Sequence, residues 1–261
     1  VGKPGRSLKG LRALVTGASS GIGWATCEVL ASRGAVIAGS GRNTDALRAG
    51  QQAGLFTATV PADLTGPGAP AGVVSAAVEA LGGLDLVVSC AGAGWSGRFE
   101  EMATSDIDAL LRTNLGATLH LAHAAAAHLL ASPAPGQLVL VGSIAGLLGV
   151  PEEAVYSATK GALGSFANAL RAEWHPVTVT LVSPGAVATP FFARRNRPYL
   201  RSWPRPVPVA QVAAAIVAAV EHRRREVIVP RWLAVPARLQ GACPGLYAAL
   251  ARAPGLWQGR R

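Results

Sequence analysis

Short apolar runs recur along this chain, separated by longer stretches that are alanine-rich or amphipathic. The runs are residues 11–16, 35–40, 56–61, 84–89, 137–141, 177–182 and 226–229, dense in Val, Leu, Ile and Ala. Their length and their glycine, proline or polar borders predict strands. Residues 24–33, 45–53, 70–81, 104–130, 155–174 and 209–222 predict helices, with 104–130 as one long alanine-rich helix. Strand and helix alternate throughout. That order predicts the α/β class: a Rossmann-like, doubly wound parallel sheet with helices on both faces. Ligands of such sheets bind at the C-terminal ends of the strands. The chain carries no internal repeat and no long low-complexity linker, so one domain over 1–261 is expected.

The first strand end is glycine-rich. Thr16 is followed by Gly17-Ala18-Ser19-Ser20-Gly21-Ile22-Gly23, between a predicted strand and a predicted helix. Glycines let the backbone approach a pyrophosphate, and the helix start offers unpaired N–H groups. The spacing is Gly-x-x-x-Gly-x-Gly rather than Gly-x-Gly-x-x-Gly, and a plain strand-to-helix turn is the alternative reading. The second strand runs out into Ser40-Gly41-Arg42-Asn43, with no carboxylate. An acidic residue there would hold the ribose 2′-hydroxyl of NAD. Arg42 can instead pair with a 2′-phosphate, and Ser40 and Asn43 can donate hydrogen bonds to it. NADP(H) is therefore expected in preference to NAD(H).

Tyr156 and Lys160 form the most telling pair. The chain has three lysines, Lys3, Lys9 and Lys160, and uses arginine elsewhere. On a helix, a spacing of four places both side chains on one face. A phenol has an ordinary pKa of about 10, and a nearby ammonium favours the phenolate. Such a pair suits proton transfer near neutral pH; a chance pair on an ordinary helix face is the alternative.

Composition narrows the remaining classes. Half the residues are apolar, enough for a large core. Cys27, Cys90 and Cys243 are widely spaced and odd in number, which predicts a reducing compartment and no metal site. His120, His123, His128, His175 and His222 show no metal-ligand spacing. No run reaches the roughly 18 apolar residues of a membrane span. Residues 1–10 lack both an initiator Met and a hydrophobic signal core, which reads as a trimmed start of a cytoplasmic protein. The net charge of +10 is concentrated at Arg194, Arg195, Arg197, Arg201 and Arg205, and at 223–225. Attraction to anions and a solvated arginine surface both explain it. No nucleic-acid motif accompanies the charge, so nucleic acid is not an expected partner.

Taken in order, these motifs resemble the short-chain dehydrogenase/reductase family along nearly the whole chain. Thr16 to Gly23 resembles the family's cofactor loop, and Asp63-Leu64 its adenine-contacting pair. Asn114 falls where the family keeps a structural and catalytic asparagine. Ser143 precedes Tyr156 by thirteen residues, similar to the family's serine–tyrosine spacing. Pro184-Gly185-Ala186-Val187-Ala188-Thr189 resembles the segment beside the nicotinamide. One departure is visible. The family often has Asn-Asn-Ala-Gly after the fourth strand, and here Ser89-Cys90-Ala91-Gly92 stands there. Cys90 reads as a small buried residue, with Ala91 and Gly92 passing close to the cofactor.

The resemblance implies NADPH-dependent reduction of a carbonyl. Tyr156 is the implied general acid, and Ser143 positions the carbonyl oxygen. Lys160 lowers the tyrosine pKa and holds the nicotinamide ribose, which Tyr156 also meets. Asn114 fixes a water that relays protons to Lys160. Oxidation of a bulky secondary alcohol, or NADP binding without turnover, are the alternatives. A substrate lid is expected at 190–209. Its Phe191, Phe192, Tyr199 and Trp203 suit an apolar pocket, and its arginines suit an anionic or thioester-linked substrate or an acidic carrier. A proline-containing tail at 229–261 is expected to pack over the pocket. The resemblance also implies a homodimer or homotetramer.

Overall fold

The computed structural model describes residues 5–195, 197–199 and 204–251. Seven parallel strands form one sheet: β1 Arg12–Thr16, β2 Val36–Gly41, β3 Ala58–Pro61, β4 Leu86–Ser89, β5 Gln137–Val141, β6 Thr178–Pro184 and β7 Glu226–Val229. Their order in space is β3-β2-β1-β4-β5-β6-β7. All seven predicted strands are present.

The helices are α1 Gly21–Ser32, α2 Thr44–Gln52, α3 Ala69–Leu81, α4 Thr104–Leu110, α5 Ala117–Leu130, α6 Ala145–Leu148, α7 Ala154–Glu173, α8 Phe191–Arg194, α9 Val209–Glu221, α10 Ala234–Ala242 and α11 Pro244–Ala251. Alternate strand residues feed two separate cores. Val15, Ile37, Val88, Val139 and Val182 meet Leu30 of α1 and Val212, Ile216 and Val220 of α9. Leu14, Val87, Leu138, Leu140 and Leu181 meet Val73 of α3, Leu121 of α5 and Leu163 of α7. A parallel strand covered on both faces has no polar side to show, which is why its sequence reads as a continuous apolar run.

The single helix expected over 104–130 is corrected. It breaks into α4, a π-helical turn at Leu111–Gly116, and α5. The turn contains Asn114, whose side chain bonds outside its own helix, to Ala93 and Thr159. Such π insertions arise where a residue is drawn out of the regular ladder, often at a functional site.

The tail adds elements that the sequence did not indicate. It folds as a short turn at Arg231–Leu233 followed by α10 and α11. Leu233 is buried and packs over the sheet end beside Gly185, whereas Trp232, Val235, Leu246 and Leu250 are exposed. Tail residues 252–261 lie outside the described residues. Among the described residues, no helix is long and apolar enough to cross a membrane.

Arg12 at the head of β1 is fastened to the loop before β4. Its Nε and Nη2 donate to the Asp85 carboxylate at 2.8 Å each, and Ser132 Oγ donates to the same carboxylate at 2.8 Å. Burial alone would raise the Asp85 pKa, but these donors outweigh it and hold it down at about 2. A depressed carboxylate pKa contributes stability above the unfolded-state value of about 3.9, and that contribution is lost as pH falls toward the folded value. Asp85→Asn is therefore expected to lower the urea midpoint by a constant amount above pH about 5, with the gap narrowing below pH about 4. Urea titrations of both proteins across that range check it.

Candidate active site

The strand order reverses between β1 and β4, and the glycine loop opens into that crevice. At Gly23 a Cβ would stand 2.3 Å from the Gly17 carbonyl oxygen. Only glycine lets α1 begin this close to the turn that precedes it. The first turn of α1 carries no acidic residue, so no carboxylate of that turn competes with an anion for its N–H groups.

Thr16, at the tip of β1, opens the glycine loop and has a role the sequence did not indicate. Its Oγ1 accepts hydrogen bonds from the Cys90 N–H at 3.1 Å and the Ala91 N–H at 3.3 Å. It thereby fixes the segment where the family's paired asparagines are missing. Ser89 bonds Thr118 at 3.2 Å from the other side. Loss of hydration pushes the Cys90 thiol up to about 12, despite the Lys160 ammonium nearby. Cys90 lines the cleft as a half-buried wall residue.

A cleft of about 740 Å³ runs over these strand ends. It brings together nearly all the predicted residues: Gly17, Ser19, Ser20, Gly21 and Ile22 of the loop; Arg42 and Asn43; Asp63 and Leu64; Cys90, Ala91 and Gly92; Ser143, Tyr156 and Lys160; and Pro184, Gly185, Val187 and Thr189. Two expectations are corrected. Gly23 does not line the cleft; it sits behind the loop. Ser40 does not line it either: its hydroxyl is buried with no partner among the described residues, because β2 turns that side chain into the fold. Asn43 lines the cleft, but its Oδ1 accepts from the Ala46 N–H at 3.0 Å and caps α2. Of the three, Arg42 is left as the exposed cation at the end of β2.

The Tyr156–Lys160 face of α7 closes the other end. Lys160 is buried, and its Nζ donates to the Val141 carbonyl at 2.9 Å. Burial pulls its pKa down to about 8. The Tyr156 phenol is hydrogen-bonded with Ser143. The phenol does not show the lowering expected from Lys160. Burial dominates and pushes Tyr156 up to about 12, Ser143 opposing and Glu153 adding to the rise. Lys160 Nζ stands 6.0 Å from the tyrosine ring centroid, directed at Val141 instead.

Asn114 is fully buried. Its Oδ1 accepts from the Ala93 N–H at 2.8 Å, and its Nδ2 donates to the Ala93 carbonyl at 2.9 Å and Thr159 Oγ1 at 3.2 Å. Both amide hydrogens are used, so the side chain clamps the β4 loop to α7. Sequence reasoning missed its partner Thr159, which lies one residue before Lys160. Nothing in a linear sequence pairs positions 114 and 159.

The sequence model described as short chain dehydrogenase matches residues 12–199. This chain belongs to the short-chain dehydrogenase family. The family's gluconate 5-dehydrogenase from Gluconobacter oxydans is 34% identical over 189 residues, covering 70% of this chain and 73% of that relative. A short-chain dehydrogenase/reductase from Burkholderia phymatum, solved in complex with NAD, superposes with a TM-score of 0.82 at 25% identity, covering 95% of this chain and 98% of that one. A short-chain dehydrogenase from Sphingobium yanoikuyae, solved with NADPH, gives 0.78 at 27% identity over the same shares. As a family member the chain is an oxidoreductase of the nicotinamide class. Among the described residues, no cluster of His, Cys, Asp and Glu could hold a metal ion.

Proposed function

We propose that this short-chain dehydrogenase reduces a ketone or β-keto compound to the alcohol, using NADPH. The observation that carries the reading is Tyr156, a half-buried phenol that lines the cleft together with Ser143 and Lys160 and carries its proton at neutral pH. A proton donor set in that state suits reduction better than oxidation. When bound, the reduced dinucleotide supplies the hydride that forms the new C–H bond at the carbonyl carbon. Tyr156 gives its proton to the carbonyl oxygen, so that the C=O double bond becomes a C–OH. Ser143 donates a hydrogen bond to the same oxygen as negative charge develops there. Lys160 faces Gly92 on the cleft floor, placed to hold the ribose hydroxyls next to the reacting ring. Asn114 keeps α7 and the 92–94 segment in register through its bonds to Ala93 and Thr159.

The residues fit the dinucleotide. The close-approach loop, the α1 N-terminus free of carboxylates, and exposed Arg42 offer contacts for the pyrophosphate and a 2′-phosphate. The adjacent Asp63 carboxylate accepts from Thr65 N–H and Oγ1 at 3.0 and 2.8 Å, which turns it away from a competing role at the ribose. Arg42→Ala is expected to weaken NADPH binding roughly 10- to 100-fold while leaving NADH nearly unchanged, the worth of charge-assisted bonds to one phosphate. Fluorescence titration with both cofactors tests it, and equal loss for NADH would remove Arg42 from the phosphate role. The proposed protein is one domain with a lid at 190–209 and a tail at 229–261, acting in the cytoplasm as a homodimer or homotetramer on a small molecule.

A further inference from the structure

The lid's two chemistries, aromatic and cationic, point to different substrates, and their placement separates them. Phe191 lies against Tyr156 with ring centroids 5.8 Å apart, Phe192 against Phe191 at 5.6 Å, and Tyr199 against Phe192 at 4.9 Å. This chain of rings starts at the reacting phenol and lines the cleft, with Ile144, Leu148 and Leu233 opposite. Trp203 and Arg201, expected to join the lid, lie outside the described residues.

The described arginines are turned elsewhere. Arg194 donates to Ser20 Oγ on the glycine loop at 3.1 Å. Arg195 pairs with Glu153 at 2.6 Å, with only 5% of its side chain exposed. Its guanidinium also stacks 4.7 Å from the Phe192 ring and donates to the Arg197 carbonyl at 2.7 Å. Arg197 meets Glu101 at 3.6 Å. Arg205 faces a separate small hollow beside Trp232. Arg194, Arg195 and Arg197 thus fasten the lid to other parts of the fold.

Six charged side chains line the main cleft among the described residues: Arg42, Asp63, Arg112, Glu153, Lys160 and Arg194. Arg42 and Asp63 mark the β2 and β3 ends, and Arg112 pairs with Asp108 at 4.0 Å on an exposed face. Lys160 is tied to Val141 and Arg194 to Ser20. Within the aromatic part, the charged wall residue is Glu153, three positions before Tyr156. Arg195 neutralises it from behind, since Arg195 does not itself line the cleft.

We infer that the substrate is an uncharged carbonyl compound with an aromatic or aliphatic body, and that Glu153 excludes carboxylate-bearing substrates from the pocket. This rests on the carbonyl-reductase reading and narrows it. An anion entering beside Tyr156 would give up its water for a wall of rings and meet a carboxylate, while among the described residues the nearby cations Arg195, Lys160 and Arg194 are already held by Glu153, Val141 and Ser20. The reading sets this chain apart from its sugar-acid-named relative in substrate, while sharing its fold.

The test uses a matched pair, the methyl ester and the free acid of β-benzoylpropionic acid, bound to the full protein and followed by calorimetry. The ester is expected to bind about 100-fold more tightly than the acid at neutral pH. In Glu153→Gln the buried Arg195 loses its counter-charge, and the acid is expected to gain about tenfold or more while the ester changes little. Equal or tighter binding of the acid to the unaltered protein overturns the inference, and that comparison needs no variant to fold. NADPH oxidation with both ligands is read separately. Ester preference without any turnover would contradict the reductase reading and leave the pocket assignment standing. Turnover that prefers the acid would do the reverse.

Discussion

Tyr156→Phe is expected to lose carbonyl reduction by a factor of about 100 to 10,000, the usual worth of a positioned general acid. NADPH affinity should stay near normal, because the ring and its packing against Phe191 are retained. The variant keeps the shape of the wall and removes the one proton the carbonyl oxygen would receive. Burial pushes the phenol to about 12, so the native side chain carries that proton throughout the neutral range. Steady-state turnover and cofactor titration on the same preparation separate the two effects. Turnover within threefold or so of the native rate would assign the proton to another group.

A second large effect is expected far from any reacting atom. At Gly146 a Cβ would stand 2.5 Å from the Lys160 carbonyl carbon and 2.6 Å from the Gly161 nitrogen. Those are backbone atoms of α7, and no side-chain rotation relieves the clash. Gly146→Ala must move α6 from α7, and α7 carries both Tyr156 and Lys160. Overpacking of this kind costs about 1–3 kcal/mol or more. For a chain of this size that lowers Tm by roughly 2–12 °C. The rate should fall further than stability alone explains, since misplacement of reacting groups by about 1 Å can cost 100-fold. Thermal melts and turnover below the melting range measure both. An unchanged Tm with full activity would show that the two helices part without consequence.

Gly146 shows what the sequence hides. Its run, Gly142-Ser143-Ile144-Ala145-Gly146, marks a loop after a strand, yet nothing local says that a second helix crosses at that residue. The strands were legible because burial on both faces leaves a continuous apolar signature, as at Leu138, Val139 and Leu140. The glycine loop, Arg42 and the Tyr156–Lys160 spacing were legible because their chemistry is local. The π turn was not, because Gly116, the one helix-weakening residue beside Asn114, does not by itself say that the ladder shifts there. Its cause is a set of bonds to Ala93 and Thr159, distant in sequence. Ser40 misled for a related reason: a strand end predicts which residues are near a ligand, while side-chain direction decides which can touch it. The lid arginines could be counted from sequence, but their partners Ser20, Glu153 and Glu101 lie on three separate elements.

The central claim is hydride delivery from NADPH to a carbonyl carbon within this cleft. Its most direct test is isotopic. The protein is incubated with NADPH deuterated at the transferring position of the nicotinamide and with the benzoylpropionate methyl ester, and the product is examined by mass spectrometry. One deuterium on the new alcohol carbon, absent with Tyr156→Phe, is the predicted result. Alcohol formed without deuterium at that carbon, or NADPH bound and left unoxidised across a panel of neutral and anionic ketones, would contradict it.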